Sequence, residues 1–228
     1  NELLAENNDE VESLYYPDAL AADTTVAYDF ITPYVEDLGN VIDMEAIKNA
    51  GLKICADAMG GSGALDFRIK PAVLEQYAFC GVALTCHAGP ADNLALVHAL
   101  QYVEPGEVLM VATDSFTGCA VTGDLVLGMA KNSGAVGFVT DGCVRDLVGL
   151  KSVGLPAWSL GVTPNSPHRN GPGTIGFPVN IAGYPVRSGD VVVADQDGVV
   201  IIPIEKIAML LEKLPAIRKA EASADESV

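Results

Sequence analysis

Apolar strand-like runs alternate with helix signals through the middle of this chain, and this alternation constrains the fold more than any other feature. Strands are predicted at residues 81–86 and 108–112, with a helix at residues 93–102 between them. A second helix at residues 125–131 and a third strand at residues 135–140 continue the pattern. Such alternation is typical of an α/β domain with a parallel sheet.

Beyond residue 155 the pattern changes to short strands and turns. A Gly- and Pro-rich loop is predicted over residues 164–176, and a C-terminal helix over residues 204–220. Four short strands are predicted between them, at residues 179–181, 184–187, 191–194 and 199–202.

The first 50 residues are acidic and weakly patterned. Helix signals occur at residues 34–40 and again after Asp43, which is a good N-cap residue. Residues 52–56 are predicted to form a strand. We therefore expect an N-terminal helical extension, residues 1–50, followed by one domain, residues 51–228.

Composition limits the classes of partner. The chain has 228 residues, half of them hydrophobic, which is enough for one domain with a substantial core. Its 13 Lys and Arg against 30 Asp and Glu argue against nucleic acid as a direct ligand, because neutralising phosphates needs a basic face. No apolar run approaches the roughly 18 residues of a membrane helix, and the acidic start is not signal-like, so we expect a cytoplasmic protein without a membrane partner.

Two short polar segments in the α/β part carry chemistry. Asp124 opens the second helix, and the dipeptide Arg145-Asp146 follows the third strand. A helix start presents free N–H groups and a positive dipole end to an anion, while Arg presents a planar fork to a carboxylate. Asp146, with Asp124 reached through water, offers the hard oxygen ligands of Mg²⁺. These groups would hold a small oxo acid beside a divalent metal ion.

Two structural alternatives stay open at this point. An Arg-Asp pair is often only a surface ion pair, and an Asp at a helix start is often only a cap. Cys143, two residues before Arg145, is either a small buried thiol or an activated nucleophile.

Several short segments occur in order over most of the chain beyond residue 57, at residues 57–60, 69–71, 81–85, 92–93, 105–109, 123–124, 145–146 and 189–199. Together these segments resemble the RraA-like family, which includes 4-hydroxy-4-methyl-2-oxoglutarate and 4-carboxy-4-hydroxy-2-oxoadipate aldolases. The resemblance implies a swivelling β/β/α-type fold, and ring-shaped trimers or dimers of trimers with active sites between subunits.

The resemblance also implies roles for individual residues. Arg145 matches the family's substrate arginine and catalytic group, Asp146 its metal ligand, and Glu221 a catalytic glutamate donated by a neighbouring subunit. The substrate-binding segment is matched by Gly123, Asp124, Leu125 and Val126, among which Asp124 is also expected to be catalytic.

The implied activity is cleavage of a 4-hydroxy-2-oxo acid to pyruvate, with oxaloacetate decarboxylation through the same enolate. An aldolase stabilises that enolate with a lysine imine or with a metal ion. Neither Lys131 nor Lys151 lies in the two polar segments, so we expect a class II lyase that uses Mg²⁺ or Mn²⁺. The alternatives are a non-catalytic regulator that binds a basic partner such as a ribonuclease, and a silent recombined scaffold.

Residues 33–54 resemble a different family, the phosphoglucomutases, at the entry to their second domain. The resemblance extends over about residues 30–63, but that family's catalytic serine loop and magnesium loop have no counterpart in this sequence. It therefore implies no mutase activity. A chimera with a seam near Gly60 is one interpretation, and an ordinary RraA-like protein with an N-terminal extension is the other.

Overall fold

The structure is a computed structural model that describes residues 42–75 and 78–225. The helices are α1 (Met44–Ala58), α2 (Leu94–Ala99), α3 (Asp124–Asn132), α4 (Leu147–Val153) and α5 (Ile207–Asp225), with a 3₁₀ turn at Ile204–Lys206. The strands are β1 (Lys70–Pro71), β2 (Phe79–His87), β3 (Glu107–Ala112), β4 (Ala120–Thr122), β5 (Gly137–Thr140), β6 (Cys143–Val144), β7 (Ala157–Ser159), β8 (Gly161–Val162), β9 (Thr174–Ile175), β10 (Val179–Ile181), β11 (Tyr184–Val186), β12 (Val191–Asp195) and β13 (Gly198–Ile202).

The main sheet is mixed, with a parallel centre and antiparallel flanks. Its order is β1-β7-β5-β3-β2-β12-β13, with β9 paired to the end of β2. Strands β2, β3, β5 and β7 run parallel, whereas β12, β13 and β1 add in antiparallel fashion. Every residue of β3 is buried, as expected for a central parallel strand covered on both faces.

The alternation of side chains along β3 sends its residues into two separate cores. Leu109 and Val111 pack with α2, α3 and α4 on one face of the sheet. Val108, Met110 and Ala112 pack on the other face, with the β10–β11 hairpin. This two-residue period is what allows helices and a hairpin to cover opposite faces of one sheet.

A third core joins α1 and α5 to the antiparallel flank of the sheet. Ile42, Ile47 and Ala50 are buried there together with Val200 of β13 and Leu210 of α5. Residues 42–50 therefore share a core with the sheet, and α1 runs across the domain boundary expected at residue 50. Within the described ranges, no helix is long and apolar enough to cross a membrane.

A small parallel sheet, β4-β6-β8, lies outside the main sheet and positions the predicted polar residues. Ala120 pairs with Cys143 and Thr122 with Val144, so β4 and β6 end side by side. Helix α3 begins directly after β4, and helix α4 begins soon after β6. Because parallel strands end at the same edge, the residues that follow β4 and β6 meet there.

The structure confirms the predicted α/β alternation, including β2, α2, β3, α3 and β5, and the predicted strands and helix beyond residue 155. The predicted strand at residues 52–56 is wrong, because these residues continue α1 after a break at Gly51, where φ is 76°. The segment around Arg145, for which no regular element was predicted, contains β6 and leads into α4. The helix predicted at residues 34–40 lies outside the described residues.

Candidate active site

Gly123 is the point where the two predicted polar segments touch. A Cβ built on Gly123 would overlap Asp146 Oδ2 and would lie 3.1 Å from Arg145 Cγ and 3.3 Å from Arg145 Nε. The absence of a side chain at residue 123 therefore lets Arg145 and Asp146 lie against the backbone at the start of α3. This close approach explains why glycine is needed here, although its backbone is extended.

Arg145 is held by contacts on several sides. Its backbone N–H donates to Thr122 O at 3.1 Å, which ties the end of β6 to the end of β4. In the side chain, Nε lies 3.2 Å from Asp146 Oδ2, and Nη1 donates to Ser166 Oγ at 2.5 Å. The guanidinium group is about one-third exposed, so it is fixed in direction yet accessible to a ligand.

Asp146 adopts a left-handed backbone conformation, with φ 60° and ψ 47°, immediately before α4. Asp tolerates this conformation better than most residues other than glycine. Its side chain does not cap α4 but turns towards Arg145 and Gly123 instead. The backbone conformation thus aims a half-exposed carboxylate at the start of α3.

Asp124 contributes the second carboxylate. Its Oδ1 accepts the Leu125 N–H at 2.7 Å, and its side chain lies over Gly149 of α4, where a Cβ would overlap Asp124 Oδ2. The Leu125 N–H becomes available to a ligand only when the Asp124 carboxylate moves to another partner. Gly149 does for Asp124 what Gly123 does for Asp146, because it lets a carboxylate approach the neighbouring backbone closely.

These groups line one pocket of about 330 Å³, which lies within the range of small-molecule sites. It brings together every predicted site residue except Glu221, and adds polar groups from β4, from the start of α2 and from the loop at residues 163–173. The lining residues are Asn93, Thr122, Gly123, Asp124, Leu125, Val126, Arg145, Asp146, Ser166, Pro167 and Arg169.

The loop that closes one side of the pocket is latched to Asp92. Asp92 Oδ2 accepts the backbone N–H groups of Asn170 at 2.6 Å and Gly171 at 3.2 Å, while Oδ1 accepts that of Leu94 at 2.8 Å. Burial raises the pKa of Asp92, but these three N–H donors outweigh it and hold the pKa below its ordinary value. A charged Asp92 therefore fixes the path of the loop.

Asn93 links this loop to the strand below the pocket. Its side chain is almost fully buried, and its Nδ2 donates to Val121 O of β4 at 3.1 Å. Its Oδ1 accepts from Arg169 Nε at 3.3 Å. Asn93 thus positions the guanidinium group of Arg169 in the pocket.

Glu221 lies away from the pocket of its own chain. It is on α5 and forms an ion pair with Lys53 of α1, with Nζ and Oε1 2.5 Å apart. The single chain therefore brings Arg145, Asp146 and the segment 123–126 together, but not Glu221. The role expected for Glu221 needs a neighbouring subunit and stays a prediction.

Cys143 and the segment at residues 116–117 lie near the site without taking the roles of its polar groups. Burial raises the pKa of the Cys143 thiol, and the nearby Cys119 adds to the effect, which is the opposite of what an activated nucleophile needs. Phe116 and Thr117 are not among the residues that line the pocket. Cys143 Sγ instead faces Thr117 O at 3.7 Å.

The donor set fits a hard divalent cation. Asp146 and Asp124 supply carboxylate oxygens at an open pocket, and the cradle over Gly123 holds Asp146 in place. The described part of the chain holds no group of three or more His, Cys, Asp or Glu side chains arranged for a metal. Such a set suits Mg²⁺, which keeps several waters and takes only one or two carboxylates.

Sequence reasoning missed Asn93, Ser166 and Arg169 as site residues. Asn93 entered only as a carrier of the family resemblance, and the other two lie in a loop with no motif of its own. The length of the loop at residues 164–176 was a usable signal, since long Gly- and Pro-rich loops are often functional. Which of its side chains enters the pocket depends on the latch to Asp92, which has no sequence signature.

Comparisons with known proteins identify the family of this chain. The family model described as "RraA-like: Aldolase/RraA" matches residues 40–201. A Halalkalibacterium halodurans protein with the name "Putative 4-hydroxy-4-methyl-2-oxoglutarate aldolase" is 37% identical over 158 residues, which cover 69% of this chain and 75% of that protein.

Two solved structures are also similar. The structure of Streptomyces coelicolor RraAS2, described as an unusual member of the RNase ES inhibitor RraA family, has a TM-score of 0.67 at 26% identity, and the match covers 80% of this chain and 94% of that one. The RNA-processing inhibitor RraA from Thermus thermophilis has a TM-score of 0.60 at 27% identity, over 65% of this chain and 89% of that one.

The family model begins at residue 40 and so includes most of the segment that resembles phosphoglucomutase. The suggestion of a chimera receives no support from this match. Because the family model matches more than half of the chain, the chain belongs to the RraA-like family.

Proposed function

We propose that this protein is a divalent-metal-dependent lyase that cleaves a 4-hydroxy-2-oxo acid and releases pyruvate, and that it also decarboxylates oxaloacetate. The observation that carries the proposal is the convergence of Arg145, Asp146 and the start of α3 around Gly123, inside one pocket. The name of the relative from Halalkalibacterium halodurans supports the same activity.

Substrate binding follows from the direction of the donors. Gly123, the N-cap residue of α3, has no side chain to occupy the first N–H groups of the helix, and only the Leu125 N–H is bound by Asp124. These N–H groups and the positive end of the helix dipole lie at the pocket. The carboxylate next to the 2-oxo group would bind the Val126 N–H, and the Leu125 N–H once Asp124 releases it. Arg145 would hold the same end of the substrate through its planar fork.

Cleavage breaks the C3–C4 bond, and the electron pair of that bond passes to C3 while the 4-hydroxyl group loses its proton and becomes a carbonyl group. The enolate that results is protonated at C3 to give pyruvate. Arg145 stabilises the negative charge that develops, and a preorganised donor of this kind is worth about 3 kcal/mol in other enzymes. Asp124 is placed in the pocket to accept or return a proton, directly or through water.

Asp146 would hold the divalent cation, with Asp124 as a second ligand through water. Bound there, Mg²⁺ or Mn²⁺ supplies Lewis-acid polarisation of the 2-oxo group. Lys131 supports a metal route over an imine, because it lies in the last turn of α3 and its Nζ donates to Val153 O. Lys151 likewise faces Glu75.

We propose a trimer, or a dimer of trimers, in which Glu221 of a neighbouring subunit completes the site. Exposed apolar side chains on α3 and α4 beside the pocket support a subunit contact there. Leu125 is 81% exposed and Val148 85% exposed, and Met129 lies one turn beyond Leu125. Light scattering of Val148→Asp would test the contact, and a variant that assembles like the wild type would contradict it.

A second candidate function is regulation of a basic protein partner. The formal charge of −17 and the similarity to RNA-processing inhibitors favour it. Two results together would favour this function over the lyase. The chain would bind a ribonuclease with an affinity that falls as salt is added, and it would release no pyruvate.

The test of the lyase is pyruvate release from 4-hydroxy-4-methyl-2-oxoglutarate and from oxaloacetate, coupled to lactate dehydrogenase. We expect turnover with Mg²⁺ or Mn²⁺ and loss of turnover with EDTA. Oxaloacetate reactions need a matched blank without protein, since the free metal also promotes its decarboxylation. Equal rates with and without EDTA would overturn the metal route, and absence of pyruvate from both substrates would overturn the lyase.

A further inference from the structure

Ser166 brings a hydroxyl group into the pocket, beside Arg145. Its Oγ accepts a hydrogen bond from Arg145 Nη1 at 2.5 Å. Ser166 follows Asn165, whose main-chain O accepts the Ala120 N–H at 2.9 Å. The side chain of Asn165 adds a second tie, since its Nδ2 donates to Gly118 O at 3.0 Å. The hydroxyl group is therefore held next to Arg145 by a backbone that is tied to the start of β4.

The direction of the hydrogen bond with Arg145 leaves the O–H of Ser166 unused. A guanidinium group has five N–H donors and no acceptor, so Ser166 Oγ can only accept from it. Within residues 42–75 and 78–225, the side chain of Ser166 makes no other hydrogen bond. The O–H is therefore available to an acceptor that enters the pocket. Donation from a cation also polarises the hydroxyl group, which makes its O–H a stronger donor.

Arg145 is fixed by contacts on two of its nitrogen atoms. Asp146 Oδ2 lies 3.2 Å from Nε, and Ser166 Oγ accepts from Nη1. Contacts on two different nitrogen atoms set the plane of the guanidinium group and leave its other N–H donors for a ligand. The O–H of Ser166 lies beside these donors, so both residues can bind oxygen atoms at the same end of a ligand.

The substrate oxygen that gains charge in the proposed reaction is the 2-oxo oxygen, which becomes the enolate oxygen. The substrate carboxylate keeps its charge throughout cleavage, so a donor to it stabilises the ground state and the transition state alike. A preorganised donor to the 2-oxo oxygen binds more strongly as the charge develops. A hydroxyl group that is polarised by Arg145, the residue next to this charge, suits the second role.

We propose that Ser166 is a catalytic residue whose O–H donates to the 2-oxo oxygen and binds the enolate more tightly than the 2-oxo acid. This inference rests on the proposed function for the formation of an enolate and for the position of the 2-oxo end at Arg145. Arg145 is then also a positioning residue for Ser166, because its N–H group fixes the directions in which the hydroxyl group can donate.

The experiment compares oxalate, a planar dianion that resembles the enolate of pyruvate, with pyruvate itself. Binding to the full chain is measured by calorimetry with Mg²⁺ present, and pyruvate release from 4-hydroxy-4-methyl-2-oxoglutarate is measured for the same proteins. The test variant is Ser166→Ala. Ser166→Thr keeps the hydroxyl group and has room for its extra methyl group, since residue 166 is exposed. Ser62→Ala is the matched control, because that hydroxyl group donates to Met59 O outside the pocket.

We expect Ser166→Ala to bind oxalate about 10- to 100-fold more weakly, the range for one hydrogen bond to a charged group. Pyruvate binding should change less than about threefold. The kcat of pyruvate release should fall by a factor similar to that for oxalate while KM stays within about threefold, because the interaction strengthens only as the charge develops. Ser166→Thr should recover most of the loss, and Ser62→Ala should match the wild type.

Equal losses for oxalate and pyruvate in Ser166→Ala would overturn the inference, because they would show that the hydroxyl group only holds Arg145 in place. No loss for oxalate, or a folded Ser166→Thr variant as weak as Ser166→Ala, would overturn it too. Circular dichroism of each variant separates loss of binding from loss of fold.

The same measurements separate this inference from the lyase. A wild type that releases no pyruvate, but loses oxalate selectively in Ser166→Ala, would contradict the lyase and keep the role of the Ser166 hydroxyl group as a donor to the enolate-like anion. A wild type that releases pyruvate, with equal losses for the two acids in Ser166→Ala, would do the reverse.

Discussion

Asp141 and Asp146 are five residues apart and have opposite surroundings. Asp141 is 1% exposed, and its carboxylate accepts hydrogen bonds from Thr113 and Ser115, each through N–H and hydroxyl, and from the Ala182 N–H. Asp146 is about half exposed in the pocket, and its Oδ2 lies 3.2 Å from Arg145 Nε.

The difference separates a structural carboxylate from an available one. A carboxylate has about four lone-pair positions, and five donors saturate those of Asp141. Those donors hold Asp114 and Ser115 at φ 57°, a conformation that costs energy for residues other than glycine. Asp146 keeps lone pairs for a ligand. Burial and partner count thus distinguish two acidic residues that look alike in sequence.

The largest expected effect is on stability, in Asp141→Ala. The variant leaves buried N–H groups of Thr113 and Ser115 without acceptors, so we expect a loss of about 3 to 5 kcal/mol of unfolding free energy. Urea unfolding measures it. Asp141→Asn keeps one acceptor and should lose less. A loss below about 1 kcal/mol would show that Asp141 is not the anchor of this loop.

Asp146→Ala should lower activity and leave stability nearly unchanged. We expect its unfolding free energy to stay within about 1 kcal/mol of the wild type, because the side chain is exposed and caps nothing. Metal-dependent pyruvate release should fall at least about 100-fold. Asp57→Asn, an exposed acidic residue outside the pocket, is the control. Activity equal to the wild type would reduce Arg145 and Asp146 to a surface ion pair.

Glu107 extends the comparison to a buried carboxylate with few donors. It is 2% exposed, and burial raises its pKa to about 7, against the lowering effect of the Glu104 N–H bound to its Oε2. Glu107 keeps its proton up to about pH 7 in the folded state but loses it near pH 4.5 in the unfolded state. The contribution of protonated Glu107 to stability is therefore complete below about pH 4.5 and is lost as the pH rises through about 7.

We therefore expect the wild type to lose up to about 3 kcal/mol, relative to Glu107→Gln, between pH 5 and pH 8. The variant should be the more stable of the two at pH 8, because its amide cannot ionise. Thermal unfolding at a series of pH values measures the difference. Parallel stability curves for the two proteins would show that Glu107 does not titrate in this range.

The smallest effect belongs to Asp92. Its pKa is held below the ordinary value, so its contribution to stability is present above about pH 4 and is lost as the pH falls through the folded-state pKa. We expect Asp92→Ala to cost about 1 kcal/mol. Amide exchange at Asn170 and Gly171 should rise in this variant. Unchanged exchange would show that the loop is held by other contacts.

Much of the fold could be predicted because β2, β3 and α3 are defined by local periodicity. Residues 52–56 could not, because the alternation LKICA fits a strand, and only packing of Cys55 and Ala58 against α5 and the sheet keeps the segment helical. Helix α4 was missed because it has only seven residues and contains Gly149, a poor helix former, so its periodic signal is weak.

The sequence predicted which residues gather in one pocket where chemistry and backbone geometry coincide, as at Asp124 and Arg145. Arg169 was not predicted, because its place in the pocket depends on a contact with Asn93 across 76 residues. No sequence signal marks such a contact. The role expected for Glu221 needs a second subunit and stays a prediction.

The latch between Asp92 and the loop has a consequence for how this pocket can change. Asp92 accepts hydrogen bonds from main-chain N–H groups of the loop. The neighbouring hydrogen bonds of His168 with Ala91 and Asn93 are also between main-chain groups. The side chains of Ser166 and Arg169 take no part in holding the loop to Asp92. Arg169 can therefore be exchanged to suit another acid while Gly123, Arg145 and Asp146 stay fixed, so new substrates are most readily acquired or engineered from this side.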